Sequence, residues 1–187
     1  MNKQYKSLQF PEIIVYEPCK HKDNRGLFFE NFNVKSFTEN VGVEFNVIQE
    51  NTSLSKKNVV RGLHFQNSKF TQKKIISVLK GKILDVIVDI RPDSKNFGKW
   101  ISYMLDDINN ETIFIPSGFA HGFLSLHENT LISYKVDKPY NKNFECSIIW
   151  NDKDILVDWK CKNPILSIKD QRSLTFKENL KLNKFIF

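Results

Sequence analysis

What this chain of 187 residues has little of narrows its possibilities before any motif is read. Its three cysteines, Cys19, Cys146 and Cys161, form an odd set without paired metal-ligand spacing. That argues against a disulfide framework or a cysteine zinc site and reads as reduced thiols held for packing. No stretch approaches the roughly 18 to 20 uncharged apolar residues of a membrane-spanning helix. The start, Met1-Asn2-Lys3-Gln4-Tyr5-Lys6, lacks the apolar core of a secretion signal, so a cytoplasmic protein is expected. No glycine-rich dinucleotide motif is present, which argues against a reductase. The formal charge of +7 and pI near 9.2 come from lysines dispersed in loops, and no helix carries a basic stripe. Nucleic acid is therefore not the expected partner, although the excess charge would attract a small polyphosphate ligand.

What is present reads as one domain over residues 1–187, with 41% hydrophobic residues and mass enough, at 22.0 kDa, for a sizeable core. Aromatic residues make up 13% and helical periodicity is scarce, so the architecture is expected to be mostly β. In Lys82-Ile83-Leu84-Asp85-Val86-Ile87-Val88-Asp89-Ile90, Leu84, Val86, Val88 and Ile90 share one face, expected to pack the core. The other face mixes Asp85 and Asp89 with isoleucines. Further short strands are expected at 72–79, 99–105, 111–115, 122–126, 130–136 and 146–150, a spacing that favours a sandwich or barrel. Helices are expected only at 33–40 and in the tail after Asp170. The apolar end, 182–187, is expected to dock on the body or on a neighbouring subunit. Glycines are few, seven in all, and most adjoin polar clusters, where they permit tight turns or close approach of a ligand.

The chemistry centres on two segments, Val60-Arg61-Gly62-Leu63-His64-Phe65-Gln66 and Ile115-Pro116-Ser117-Gly118-Phe119-Ala120-His121-Gly122. Each sets a histidine in a glycine-flanked, apolar, strand-like run, which aims an imidazole into a pocket. Metal binding is disfavoured, because three protein ligands are normally needed and Leu63-His64-Phe65-Gln66 offers no second histidine two residues on. Acid/base chemistry fits better: a neutral histidine takes a proton while a carboxylate holds its tautomer. Asp170 is a candidate for that carboxylate, and so are Asp85 and Asp89.

An ordered series of motifs runs along nearly the whole chain. It includes Asp23-Asn24-Arg25-Gly26-Leu27-Phe28-Phe29-Glu30, Gln49-Glu50-Asn51, the histidine segments above, Gln72-Lys73-Lys74, Tyr134-Lys135, Tyr140, Trp150-Asn151-Asp152 and Leu166-Ser167-Ile168-Lys169-Asp170. With this series the chain resembles the dTDP-4-dehydrorhamnose 3,5-epimerase family. The resemblance implies a cupin-type jelly-roll β-barrel with a few short helices, a homodimer with exchanged N-terminal strands, and neither metal nor organic cofactor. It also implies a nucleotide-diphosphate-linked 4-keto-6-deoxy sugar as substrate. The ketone acidifies the hydrogens on C3 and C5, so a base, an enolate stabiliser and an acid on the opposite face suffice.

Position by position, the resemblance makes His64 the base and Asp170 its carboxylate partner. Lys74 becomes the support of the C4 oxyanion and Tyr134 the acid on the other face. His121 with Asp85 becomes a supporting pair in the pocket wall. Arg25 and Arg61 fall near the diphosphate and sugar, where a guanidinium fork suits phosphate oxygens. Phe28 falls where a ring stacks on the base. Glu30 falls where a carboxylate accepts from a ring N–H, reaching across the dimer. Gln49, Asn51, Tyr140 and Glu145 take further pocket positions.

Three departures stand out. Lys73 occupies a place usually held by a small residue, where a second cation would depress the pKa of Lys74 or add a phosphate contact. Lys160 replaces a proline in Asp158-Trp159-Lys160, and the tail after Asp170 carries no motif that can be placed in the family. The product would be an activated deoxy sugar for cell-surface polysaccharide. Two other readings are a guanosine-linked keto-heptose epimerase acting at C3 or at C3 and C5, since Glu30 could also accept from guanine, and a non-catalytic sugar-binding cupin.

Overall fold

The computed structural model describes residues 9–187 and the backbone of residues 4–6. In chain order the elements are β1 (Gln4–Lys6), β2 (Ile14–Tyr16), β3 (Lys20–Asp23), β4 (Gly26–Phe29), α1 (Val34–Val41), β5 (Gln49–Ser55), β6 (Val60–Gln66) and β7 (Lys74–Lys80). They continue with β8 (Lys82–Asp89), β9 (Trp100–Asp106), β10 (Thr112–Ile115), β11 (Phe119–Ser125), β12 (Thr130–Val136), β13 (Glu145–Ser147), α2 (Ile168–Gln171) and α3 (Phe176–Lys181). One sheet has the order β1-β2-β10-β7-β12-β5 and the other β13-β6-β11-β8-β9, and the strands within each pair antiparallel. This is the expected mostly-β, cupin-type jelly roll with a few short helices. The hairpin of β3 and β4 forms a separate two-stranded sheet. Among the described residues no helix is long and apolar enough to cross a membrane.

Strand β8 corrects one expectation. Both of its faces are buried. Ile83 and Ile87 join Ile76, Val78, Phe119, Phe123 and Ile132 in one core cluster, with β7, β11 and β12 contributing from the two sheets. The opposite face, Leu84, Val86, Val88 and Ile90, packs against Ile148, Ile155, Trp159, Phe176 and Phe185. The C-terminal segment thus covers the outside of the five-stranded sheet as a third layer, which alternation within a single strand cannot reveal. The acidic side chains on the inner face are each answered. Asp89, fully buried, takes both Nε (2.9 Å) and Nη2 (2.7 Å) of Arg91. Asp85 is bonded to His121.

The tail docks on the body of the chain. Ser68 N–H donates to Ile186 O at 2.7 Å, and the Phe185 and Phe187 rings lie 5.6 and 6.4 Å from Phe65. Lys160 has φ 57°, a left-handed conformation that proline cannot adopt, so the departure there matches its turn. Trp159 is anchored by its indole N–H to Trp150 O at 2.6 Å.

Gly62 and Gly122 allow β6 and β11 to approach where the two histidines pair. A Cβ on Gly62 would lie 2.5 Å from Gly122 Cα, and one on Gly122 would lie 2.8 Å from Arg61 O. These are backbone atoms that no rotamer change can move aside. Gly122→Ala is therefore expected to cost about 2 kcal/mol by overpacking, lowering Tm by roughly 4–8 °C. A thermal melt within a degree of the parent would show that the two strands can part freely.

Candidate active site

Between the sheets, apolar packing gives way at one end to a cavity of about 480 Å³, a volume suited to a small organic ligand. The six-stranded sheet supplies Gln49 and Asn51 from β5, Lys74 from β7 and Tyr134 from β12. The five-stranded sheet supplies Arg61 and His64 from β6, His121 from β11 and Glu145 from β13. Tyr140 from the loop after β12, and Lys169 and Asp170 from α2, close the wall.

His64 is held on both flanks, its backbone registered against His121 of β11 and Ser147 of β13. Its Nε2 lies 2.6 Å from Asp170 Oδ1, while Nδ1 has no hydrogen-bond partner among the described residues. Asp170 reaches it because the chain runs beside the start of β6, with Val60 N–H donating to Ile165 O at 3.0 Å, and then turns into α2. Ser167 caps that short helix: its hydroxyl oxygen accepts from Asp170 N–H at 3.0 Å and the hydroxyl donates to Asp170 Oδ2 at 2.8 Å. Both carboxylate oxygens are thereby engaged. Burial alone would raise the Asp170 pKa. Hydrogen bonds from His64 and Ser167, with the charges of His64 and Lys169, outweigh it and hold the carboxyl below its ordinary value. An acceptor that stays ionised fixes the proton on Nε2 and leaves Nδ1 as the basic nitrogen.

The three acids that the sequence offered as partners are thus divided. Asp170 takes His64, Asp85 takes His121 at 2.7 Å, and Asp89 takes Arg91. Both His121 and Asp85 are buried, and among the described residues Asp85 Oδ1 has no hydrogen-bond partner.

Lys74 is the cavity's sequestered cation. Among the described residues its ammonium makes one hydrogen bond, a long one of 3.4 Å to His64 O. Burial lowers its pKa to about 8 against the opposing pull of Asp85 and Glu145. Lys73, the extra cation, points elsewhere: its Nζ donates to Glu44 O at 3.1 Å and lies 4.0 Å from Asp137. It is not among the causes of the Lys74 shift, because Lys73 precedes the strand and its ammonium is held at Glu44 and Asp137, outside the cavity. The Tyr134 hydroxyl has no hydrogen-bond partner among the described residues. Burial raises its pKa, opposed by the Arg61 charge and reinforced by Glu145. Arg61 donates through Nε to Ser55 Oγ at 3.1 Å. Glu145 accepts from the Tyr140 hydroxyl at 2.9 Å and pairs with Lys169. Burial would raise its pKa too, but Lys169 and Tyr140 bring it below the ordinary value.

Three expected site residues lie outside this cavity in the single chain. Arg25 and Phe28 sit on the β3–β4 hairpin, with Arg25 paired to Asp23 at 2.6 Å and Phe28 72% exposed. Glu30 follows the hairpin and accepts from Asn33 at 3.1 Å. Conversely, Ser167, Lys169, Gln66 and Gln72 line the cavity without having been singled out individually. For Ser167 a local signal existed, a serine three residues before an acid, the pattern of a helix cap. Among the described residues no group of three or more His, Cys, Asp or Glu side chains is placed to hold a metal.

A jelly roll enclosing a histidine–carboxylate pair, a half-buried lysine and a phenol in one cavity holds the groups that an isomerase working by proton transfer needs. The comparisons agree: a family model described as dTDP-4-dehydrorhamnose 3,5-epimerase matches residues 7–178. The dTDP-4-dehydrorhamnose 3,5-epimerase of Escherichia coli K12 is 41% identical over 93% of this chain and 95% of its own length. The chain belongs to the dTDP-4-dehydrorhamnose 3,5-epimerase family. Among solved structures, the dTDP-6-deoxy-D-glucose-3,5-epimerase of Legionella pneumophila, in complex with dTDP-4-keto-L-rhamnose, superposes with a TM-score of 0.93. It is 35% identical and covers 100% of this chain and 98% of that one. A 3'-monoepimerase of Streptomyces bikiniensis, in complex with dTDP-quinovose, gives a TM-score of 0.91 at 29% identity, covering 97% and 92%.

Proposed function

We propose that this chain inverts C3 and C5 of dTDP-4-dehydro-6-deoxyglucose, giving dTDP-4-dehydrorhamnose without a cofactor. His64 removes the proton next to the ketone, and Asp170 stabilises the imidazolium that forms. Lys74 stabilises the negative charge that develops on the C4 oxygen, where a fixed cation in a partly desolvated site contributes most. Tyr134 returns a proton from the opposite face. The observation that carries this reading is that His64, paired with Asp170 of α2, enters the cavity from one sheet while Lys74 and Tyr134 enter it from the other. Base and acid on opposed sheets suit inversion, since exchange on a single face would restore the original centre. Thymidine as the nucleotide, and double over single epimerisation, rest on the names of the E. coli and Legionella relatives.

The protein acts in the cytoplasm, in this proposal, as one domain in a homodimer with exchanged N-terminal strands. The β3–β4 hairpin supports that assembly: it pairs with neither large sheet and exposes Leu27 and Phe28. It would carry Arg25, Phe28 and Glu30 to the cavity of a second copy, to meet the diphosphate and base. Light scattering should give twice 22.0 kDa; a monomer that turns over at full rate would remove those three residues from the site.

Incubation in heavy water with thymidine- and guanosine-linked 4-keto sugars in parallel tests the reaction. Two deuterons with inversion at C3 and C5 of the thymidine-linked sugar are expected, and no incorporation into either substrate would refute the reading. Tyr134→Phe should slow inversion by about 10²- to 10⁴-fold, the usual range for a lost general acid, while proton exchange at C3 persists. Undiminished inversion would place the acid elsewhere.

A further inference from the structure

Three glutamines from separate stretches of chain converge on one loop at the cavity wall. The ladder of β12 ends at Val136, and Pro139, which lacks an N–H, lies in the loop that follows. Side-chain amides take over the role of the ladder. Gln72 Nε2 donates to Lys138 O at 2.8 Å and Gln66 Nε2 to Pro139 O at 3.2 Å. Gln49 Oε1 accepts from Tyr140 N–H at 3.0 Å, and Gln66 Oε1 accepts from Asn141 N–H at 2.6 Å. The backbone of residues 138–141 is therefore gripped at each of four successive positions. Gln66 is itself 5% exposed and further tied through Nε2 to Phe70 O at 3.1 Å. A buried amide with both ends bonded acts as a rigid connector, since releasing either end strands a polar group.

What the clamp holds is Tyr140. Its ring is half exposed at the cavity, and its hydroxyl donates to Glu145, which also pairs with Lys169. Gln66 stands two residues after His64 on β6, so base and clamp share one strand and one face. We propose that Gln66, assisted by Gln72, is a positioning residue that fixes Tyr140 as a wall of the substrate cavity, so that nucleotide affinity depends on Gln66 through Tyr140. The identity of the ligand rests on the function proposed above.

Gln66→Leu removes two of the four bonds that grip the loop, at similar volume. Its Kd for dTDP and its KM for the keto-sugar nucleotide should rise about tenfold, the effect of losing some 1.4 kcal/mol, with the loss falling on KM and not on kcat. Tyr140→Ala should raise Kd by a similar factor. The double variant should bind no more weakly than Tyr140→Ala alone, because the two changes remove one interaction. Multiplying penalties, or a fall in kcat at constant Kd, would overturn the proposal. Should Gln66→Leu fail to fold, Gln72→Leu, which loses only the bond to Lys138, should show the same coupling at about threefold. Failure of the parent to bind dTDP would sink the functional reading alone. In that case amide exchange still decides the clamp: exchange at Tyr140 and Asn141 should accelerate in Gln66→Leu, and unchanged exchange would refute it.

Discussion

His64→Asn should lower kcat by about 10³- to 10⁴-fold and abolish deuterium uptake at C3 and C5, with Kd for dTDP unchanged within about twofold. The magnitude is the upper range for removing a positioned general base. Asparagine keeps approximate size and polarity, so the cavity and its contact with Asp170 should survive, while no imidazole remains at that position to take the proton. Retained affinity with lost exchange distinguishes a proton-transfer enzyme from a sugar-binding module, for which His64 would only contribute affinity. Exchange that persists at the parental rate would mean that another base works, and His121, bonded to buried Asp85, would be the group to replace next. Asp170→Asn should give a smaller loss, because the amide can still hold the ring but no longer stabilises the imidazolium. Its pH dependence has a definite sign. The folded-state pKa of Asp170 is depressed, so the stability it contributes is present above the unfolded value and is lost as pH falls through the folded one. The variant should therefore lose the part of the parent's acid destabilisation that comes from this group.

Lys74→Met should remove about 10²- to 10³-fold of kcat, comparable with loss of a preorganised oxyanion donor, and should also make the protein more stable near pH 7. Both effects follow from one fact: burial lowers the Lys74 pKa from its usual 10.5 to about 8. Below pH 8 the folded chain carries a charge it would prefer to shed, whereas the unfolded chain carries it freely. That penalty is full below pH 8 and disappears as pH rises from 8 towards 10.5. Methionine has no charge to bury, and the gain at pH 7 is on the order of 2 kcal/mol. Chemical denaturation at pH 7 and pH 10 checks this, since the advantage of the variant should shrink at the higher pH. In the role proposed for Lys74 catalysis runs in the opposite direction, because the protonated lysine is the form that would stabilise the C4 oxyanion. The parent's kcat/KM should fall above about pH 8, and Lys74→Arg should abolish that alkaline limb, since a guanidinium stays charged. A parental profile flat to pH 10 would remove Lys74 from the chemistry.

How much was legible in the sequence varied with how local the deciding force was. Strand 130–136 was expected and found, because its alternation and its flanking turn residues are both in the sequence. The expected strand 72–79 begins instead at Lys74. Gln72 and Lys73 spend their bonding on the 137–138 stretch, with Lys73 N–H donating to Asp137 at 2.7 Å and Gln72 to Lys138. The expected strand 122–126 starts earlier, at Phe119, directly after the left-handed Gly118. The expected strand 146–150 is Glu145–Ser147, since Trp150 already belongs to the turn that carries the chain out over the sheet. Helix 33–40 came within a residue of α1, its Asn33 cap accepting from Ser36 N–H at 3.0 Å and its Gly42 ending it in the left-handed region.

By itself the sequence supplied candidates for the site. His64 and His121 were readable from their glycine-flanked strand contexts and Asp170 as one of three candidate carboxylates, because chemical capacity belongs to the side chain and strand periodicity to its neighbours. Lys74 and Tyr134, by contrast, entered through the family resemblance. The tertiary structure alone decided which groups meet. Asp170 lies 106 positions from His64, and only the docking of the segment at Ile165 against the start of β6 brings them to 2.6 Å. Asp85, Asp89 and Asp170 are chemically alike, and their division among His121, Arg91 and His64 depends on where each stands, two on β8 and one on α2. The same holds for Lys73 and Lys74, adjacent and identical, of which one meets a backbone carbonyl at the surface and the other is buried far enough to titrate near 8. Desolvation and pairing are properties of position in the packed sheets, and for that reason no reading of residue types could assign them.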